Sequence, residues 1–240
     1  MFRSVILFRI IKPRLLLIVL ISISFIIGLG GTLYGETNFL IEAYAEEGEK
    51  VKKRIDALGT EGFIPVGIEI ESDSGLMVFY VQDPSFRFEN WLLFNHELNE
   101  DFEAEVTGLL KEGWVPMDIA KTEKGITMLY VKGGTVEDIT VDGWRIAKSE
   151  MNTDTLQNVL SDFREKGFTP WGLSLDGKDV WYLFIDDNTA QNKQFFVEGY
   201  KLDSDYVKKS ITDDINNGWM PWGMMMENLS TFILYTKSNT

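Results

Sequence analysis

Apolar residues recur in the same register four times along the chain. Eleven residues before each of Gly62, Gly113, Gly167 and Gly218 stand Val51, Phe102, Leu156 and Val207, and seven before stand Ile55, Val106, Leu160 and Ile211. A third position, three or four before, holds Leu58, Leu109 with Leu110, Phe163 and Ile215. This spacing lays one apolar stripe along a helix. Fourteen residues before each glycine are Gly48, Asn99, Thr153 and Ser204, of which the last three are preferred N-caps and are followed by Glu100, Asp154 and Asp205. An acid in the first turn complements the helix dipole. After each glycine the pattern becomes that of short strands: Ile68–Ile70, Ile119–Lys121, Leu173–Leu175 and Met224–Met226, each followed by a polar turn and a returning strand, Leu76–Val81, Ile126–Val131, Val180–Ile185 and Thr231–Thr236. Three helices are preceded by a further strand, at Trp91–Phe94, Trp144–Ala147 and Phe195–Val197.

The glycines open a repeated motif, Gly-aromatic-x-Pro, spaced 51, 54 and 51 residues apart. A fixed period of this size marks a tandem repeat. Gly62, Gly113, Gly167 and Gly218 read as helix-terminating residues with positive φ, and Pro65, Pro116, Pro170 and Pro221 as strand openers. Each unit is strand, helix, strand, strand. A right-handed crossover makes the first two strands parallel and leaves room for the third between them, which predicts order 1-3-2 with the helix on one face. The expected fold is α+β: four β-α-β-β repeats in antiparallel or mixed sheets, with neighbouring repeats covering each other's open face. Pairing of repeats one with two (36–133) and three with four (134–240) would divide the body near Gly133-Gly134. The first repeat is ambiguous, because its strand should fall near Phe39–Ala43 although Phe39–Leu58 could be helical almost throughout.

A Gly-Trp-x-Pro pattern closing a short helix resembles small bacterial domains of unknown function built as strand, helix, strand, strand, in which Gly-Trp also ends the helix. The resemblance covers the four repeats and omits the N-terminal 36 residues. It implies the same unit fold and brings no catalytic residue.

Charge and the N-terminus add a location. The only charges before Glu36 are Arg3, Arg9, Lys12 and Arg14, and none occurs from Leu15 to Gly35. Those 21 residues would span about 31 Å as a helix, the thickness of a hydrocarbon core. The expectation is a cytoplasmic basic N-terminus (1–14), a single transmembrane helix (15–35) and a periplasmic or extracellular body. The alternative is secretion after signal cleavage, for which Ala43-Tyr44-Ala45 has the small-x-small form. Without the four N-terminal cations, 19 basic residues face 37 acidic ones. Such a body repels phosphate backbones and anionic lipid surfaces, so no nucleic-acid partner is expected. Cysteine is absent, which excludes disulfides and thiolate chemistry.

Little in the chain reads as catalysis. His96 is the only histidine and reads as a surface loop residue. Asp118, which replaces a glycine of the motif, and Asp176 or Asp179 are available to a carboxylate-dependent hydrolase, but no spacing singles out a pair and solvated turn positions account for them better. Asp186-Asp187-Asn188 and Asp203-Ser204-Asp205 do not continue as calcium loops. No cofactor or metal is expected. The motif aromatics Trp114, Trp171, Trp219 and Trp222 read mainly as core. The residue after each proline (Val66, Met117, Trp171 and Trp222) is the candidate binding surface, since strand residues alternate faces. Met224-Met225-Met226 reads as gap-filling core. These features point to a membrane-anchored protein-binding or scaffold subunit of an envelope complex, with a glycan-binding module and a hydrolase as alternatives.

Overall fold

The structure, a computed structural model, describes residues 39–44, 49–71, 75–83, 86–201, 204–227 and 230–239. The basic N-terminus and the expected membrane segment lie outside these residues. Among the described residues no helix is long and apolar enough to cross a membrane.

Four units follow one another: β1 (Phe39–Tyr44), α1 (Glu49–Thr60), β2 (Phe63–Glu71), β3 (Gly75–Gln82); β4 (Asn90–His96), α2 (Phe102–Lys111), β5 (Val115–Thr122), β6 (Gly125–Lys132); β7 (Gly143–Glu150), α3 (Thr153–Glu165), β8 (Thr169–Asp176), β9 (Asp179–Asp186); β10 (Lys193–Lys201), α4 (Ser204–Asn216), β11 (Met220–Glu227), β12 (Ser230–Ser238). Each unit forms a three-stranded sheet in order 1-3-2, from β1-β3-β2 to β10-β12-β11. Every ladder is antiparallel, so the outer two strands of each sheet are parallel to one another. The ambiguity of the first repeat resolves as strand: Phe39–Tyr44 pairs with Leu76–Val81, and tertiary pairing overrides its helical composition.

Gly62, Gly113, Gly167 and Gly218 adopt φ between +82° and +91°, the left-handed turn that releases the chain from each helix. The N-caps differ from the expected residues. Asn152, not Thr153, caps α3 by accepting from Thr155 N at 2.8 Å, and Asp101 flanks α2 while Asn99 Oδ1 accepts from Asp101 N. α3 starts where the extended Asn152 can reach the first turn, whereas Asp101 is helical and makes no side-chain cap; spacing alone places such starts only to within a residue or two.

The prolines do not open the strands; they are the second or third residue of each. Each is followed by a β-bulge, between Pro65 and Gly67, Pro116 and Asp118, Pro170 and Gly172, and Pro221 and Gly223. Proline is tolerated here because β2, β5, β8 and β11 are edge strands.

Those edges meet. β2 packs on β5 and β11, and β8 packs on β5 and β11, so the four strands close a ring around one axis. The contacts of β5 on β8 and of β11 on β2 join residues 36–133 to 134–240 as directly as β2 on β5 and β8 on β11 join each half, and one apolar cluster draws on all four repeats. Equivalent positions face each other around the axis. Gly223 approaches Gly172, Gly67 approaches Met224, and Gly172 lies against Asp118. β5 and β8 run in the same direction, since Leu173 N donates to Asp118 Oδ1 at 3.0 Å and, farther along both strands, Lys121 N donates to Ser174 Oγ at 2.8 Å.

Asp118 is not the residue of a solvated turn. It is fully buried on the axis, where Oδ2 accepts from Ile68 N at 2.7 Å and Oδ1 from Leu173 N. Burial pushes its carboxyl well above the usual range, against the backbone N–H groups of Ile68, Ile119 and Leu173. Its role is to satisfy backbone donors on edge strands that have no neighbouring ladder.

Each of the first three helices is held between its own sheet and the first strand of the next repeat. Trp91 of β4 donates to Asp56 of α1 at 2.8 Å, Trp144 of β7 packs edge-on against Phe102 of α2, and α3 packs on β7, β8 and β10. Sheets covered on both faces bury nearly all of their middle strands: Leu76–Val81, for example, are at most 4% exposed.

Candidate functional site

The four residues after the prolines are where the structure departs most from the expectation of a shared surface. Val66 and Met117 are fully buried, Trp171 is 3% exposed, and only Trp222 remains half-buried. The bulge is the cause. It sets two residues opposite one, so a face counted by simple alternation from the proline is inverted and the side chain turns toward the ring interior.

Trp171 and Trp222 nevertheless come together. Their rings meet edge to face with centroids 5.4 Å apart, and Phe86 also packs edge to face on Trp222 at 6.1 Å. Two open lobes adjoin this pair, of about 520 Å³ and 310 Å³, and share Trp171, Lys193 and Trp222 in their walls. Pro170, Met220 and the end of β12 line the larger lobe; Ile139 and Asp187 line the smaller. The cleft lies where β8, β10 and β11 begin and β12 ends. Phe39 of β1 and Ile64 of β2 both pair with Val81, so β1 also begins at this end of the ring.

Polar groups are arranged around the indoles. Asp187 accepts from Thr169 Oγ1 (2.6 Å), Thr189 Oγ1 (2.7 Å) and Lys193 Nζ (3.2 Å). Burial raises its carboxyl, but the two hydroxyls, Lys193 and the Thr189 N–H together hold it below the usual range, so it is ionised. Lys237 donates to Asn217 O at 2.7 Å while its ammonium lies over the Trp219 ring, as Lys132 lies over Trp114. Trp219 itself packs on Phe196 at 4.6 Å. Behind the wall of the larger lobe, Trp171 Nε1 and Thr236 Oγ1 are buried without a hydrogen-bond partner among the described residues. A third hollow of about 290 Å³, beside Trp114, carries Glu112 and Glu137 as well as Lys132.

The chain matches no protein-family model and no curated protein.

The other candidates are dispersed. Asp176 and Asp179 sit at the opposite, hairpin end of the ring, near Lys121 (3.9 Å) and Lys148 (2.9 Å). Asp203 lies outside the described residues. Among those described, no group of three histidine, aspartate or glutamate side chains is placed to hold a metal ion. Met224 and Met225 are core. Lys193, Thr236 and Lys237 have no place among the sequence candidates, and Asp187 enters there only as part of an incomplete calcium loop. The one available signal was the basic residue ending the third strand of two repeats, Lys132 and Lys237; Lys193 carries no repeat signature.

His96 is not in a surface loop. It is fully buried at the end of β4, with Nδ1 2.9 Å from Glu105 Oε2 and Nε2 2.8 Å from the Tyr130 hydroxyl. A carboxylate only accepts, so the Nδ1–H tautomer donates to Glu105 and accepts from Tyr130 at Nε2. The equivalent pair is Tyr44–Tyr80 in the first repeat (2.9 Å) and Tyr200–Tyr235 in the fourth (2.7 Å), with Ser149–Tyr182 in the third (2.8 Å). Glu42 and Asp214 accept from Tyr44 and Tyr200 as Glu105 does from His96. These pairs tie the first strand of each sheet to its middle strand and are structural.

Burial lowers the His96 pKa, outweighing the opposing pull of Glu105. The folded state therefore holds the neutral ring. The resulting stability is present above the unfolded value near 6.5 and is lost as the pH falls below it. His96→Gln should therefore lower the urea midpoint more at pH 7 than at pH 5, so that the midpoint falls less, relative to the parent, between pH 7 and pH 5. An unchanged slope in the variant would refute the assignment.

Proposed function

We propose that the chain is a single-pass membrane protein whose extracytoplasmic ring of repeats binds a protein partner and performs no reaction of its own. The observation that carries this reading is the open cleft at Trp171 and Trp222, on the end of the ring where β1 begins. Only residues 36–38 separate the apolar segment 15–35 from β1, a reach of no more than about 15 Å, so an anchored chain would turn the cleft toward the membrane. A protein is favoured over a glycan because neither indole offers an open face for a sugar ring: Trp171 is shut in, and Trp222 is flanked by two other rings. A hydrolase is disfavoured because Asp118 is sealed on the axis and Asp176 and Asp179 lie at the far end.

The absence of cysteine makes the test direct. Ser238→Cys at the cleft rim and Lys178→Cys at the hairpin end are to be labelled with a membrane-impermeant maleimide carrying a photocrosslinker, in cells with an intact cytoplasmic membrane. Both sites should be labelled, and illumination should give a discrete protein adduct from position 238 only. Protection of both cysteines would overturn the topology. Adducts from both positions, or from neither, would overturn the docking site.

A further inference from the structure

We infer that the cleft recognises an extended acidic segment of its partner, a carboxylate side chain flanked by apolar ones. This rests on the reading of the cleft as a protein-docking site and adds the chemistry of what docks. The chain has 37 acidic residues and a net charge of −14, yet none of the ten residues lining the larger lobe is acidic. Two are lysines, Lys193 and Lys237, and the rest are hydroxyl-bearing or apolar apart from one glycine. The third hollow, with Glu112 and Glu137, shows that surface concavities on this protein are not generally spared acids.

Both ammonium groups have capacity for a ligand. Each makes one hydrogen bond among the described residues, Lys193 to Asp187 and Lys237 to Asn217 O, and an ammonium has three donors. Asp187 keeps its two threonine hydroxyls and the Thr189 N–H if Lys193 turns toward a ligand. Pro170, Met220 and Trp222 supply the apolar wall on which neighbouring side chains would rest, the usual division between orienting polar groups and apolar contact area. The two lobes adjoin across Lys193; the smaller carries Asp138 and Asp187, so the carboxylate is received in the larger lobe and the smaller takes only uncharged parts of the segment.

An anionic lipid headgroup shares part of this chemistry, but a bilayer surface would meet the whole acidic body, whereas a peptide carboxylate meets the cleft alone.

The test is selection of short random displayed peptides on the full chain in zwitterionic nanodiscs, in parallel with the Lys193→Glu/Lys237→Glu double variant and with Lys166→Glu, an exposed lysine outside the cleft. Variants are first shown to unfold at the parental temperature. The selected pool should be enriched in aspartate or glutamate between apolar residues. Selected peptides should bind the double variant about tenfold or more weakly and Lys166→Glu unchanged. A pool without acidic enrichment, one indifferent to the double variant, or no enrichment at all would overturn the inference. Binding of glycerol phosphate with no acidic peptide selected would assign the cleft to a lipid headgroup instead. Crosslinking from position 238 combined with a non-acidic pool would sink this inference and leave the docking site standing.

Discussion

Gly172→Ala is expected to cost more than about 3 kcal/mol, enough to leave the chain largely unfolded if its stability is ordinary. A methyl group there would lie 2.2 Å from Asp118 Oδ1, 2.8 Å from Asp118 Cα and 3.0 Å from Ile119 N. Two of these three are atoms that no rotamer change can move, so β5 and β8 would have to separate at the axis. The equivalent positions supply graded controls. At Gly67 the new methyl would meet Met224 Cβ at 3.0 Å and Met224 N at 3.1 Å, a smaller conflict, and at Gly223 its nearest neighbours would lie at 3.5 Å, an ordinary contact. None of the three glycines needs a left-handed φ, so the series isolates close approach from backbone strain. Urea denaturation should rank the losses Gly172→Ala, then Gly67→Ala, then Gly223→Ala. Equal losses at 172 and 223 would mean that the inner strands do not meet as described.

Asp118→Gly should be the second largest loss, although it makes the second repeat match the other three. Without the carboxylate, the buried N–H groups of Ile68 and Leu173 lose their acceptor, at about 1–3 kcal/mol each, or roughly 2–6 kcal/mol together. Asp118→Asn keeps one acceptor oxygen and sets an amide donor against the other N–H, so it should lose less than glycine but remain clearly destabilised. Because the carboxyl links repeats one, two and three, its removal and Gly172→Ala should be non-additive in a double-mutant cycle. Additive losses would show that the two positions do not share the axis. A glycine variant at position 118 as stable as the parent would show that Asp118 is an ornament of the repeat.

The cleft sharpens what the tandem repeats are for. Four similar units close a ring, but only where the fourth follows the third do two tryptophans occupy the bulge position together, and only there does Lys193 stand at the entrance of the following strand. Val66 and Met117 fill the corresponding places in the first two repeats and are fully buried. That interface, where the docking site is proposed, is the one that departs from the common pattern.

The one-dimensional pattern was sufficient for the unit. Apolar residues at helical spacing, a glycine where the helix must end and period-two strands after it are local requirements, and they predict the β-α-β-β order and the 1-3-2 sheet because handedness leaves few alternatives. The relation between units was not legible in the same way. Asp118 departs from the motif by a single residue, and nothing near it in the chain reveals that its two oxygens accept N–H groups from positions 68 and 173. His96 looks like a loop residue until Tyr130 and Glu105 are brought against it by pairing and helix packing. The bulge after each proline inverts the face of the very residues that seemed most exposed, and a bulge is defined by the partner strand. The repeating unit, the C-terminal ends of its helices and its strand order were thus determined by the sequence alone, because they depend on spacing along one segment. The closed ring, the buried acid on its axis and the cleft between the third and fourth repeats were decided only by tertiary structure, because each depends on which distant edges satisfy one another.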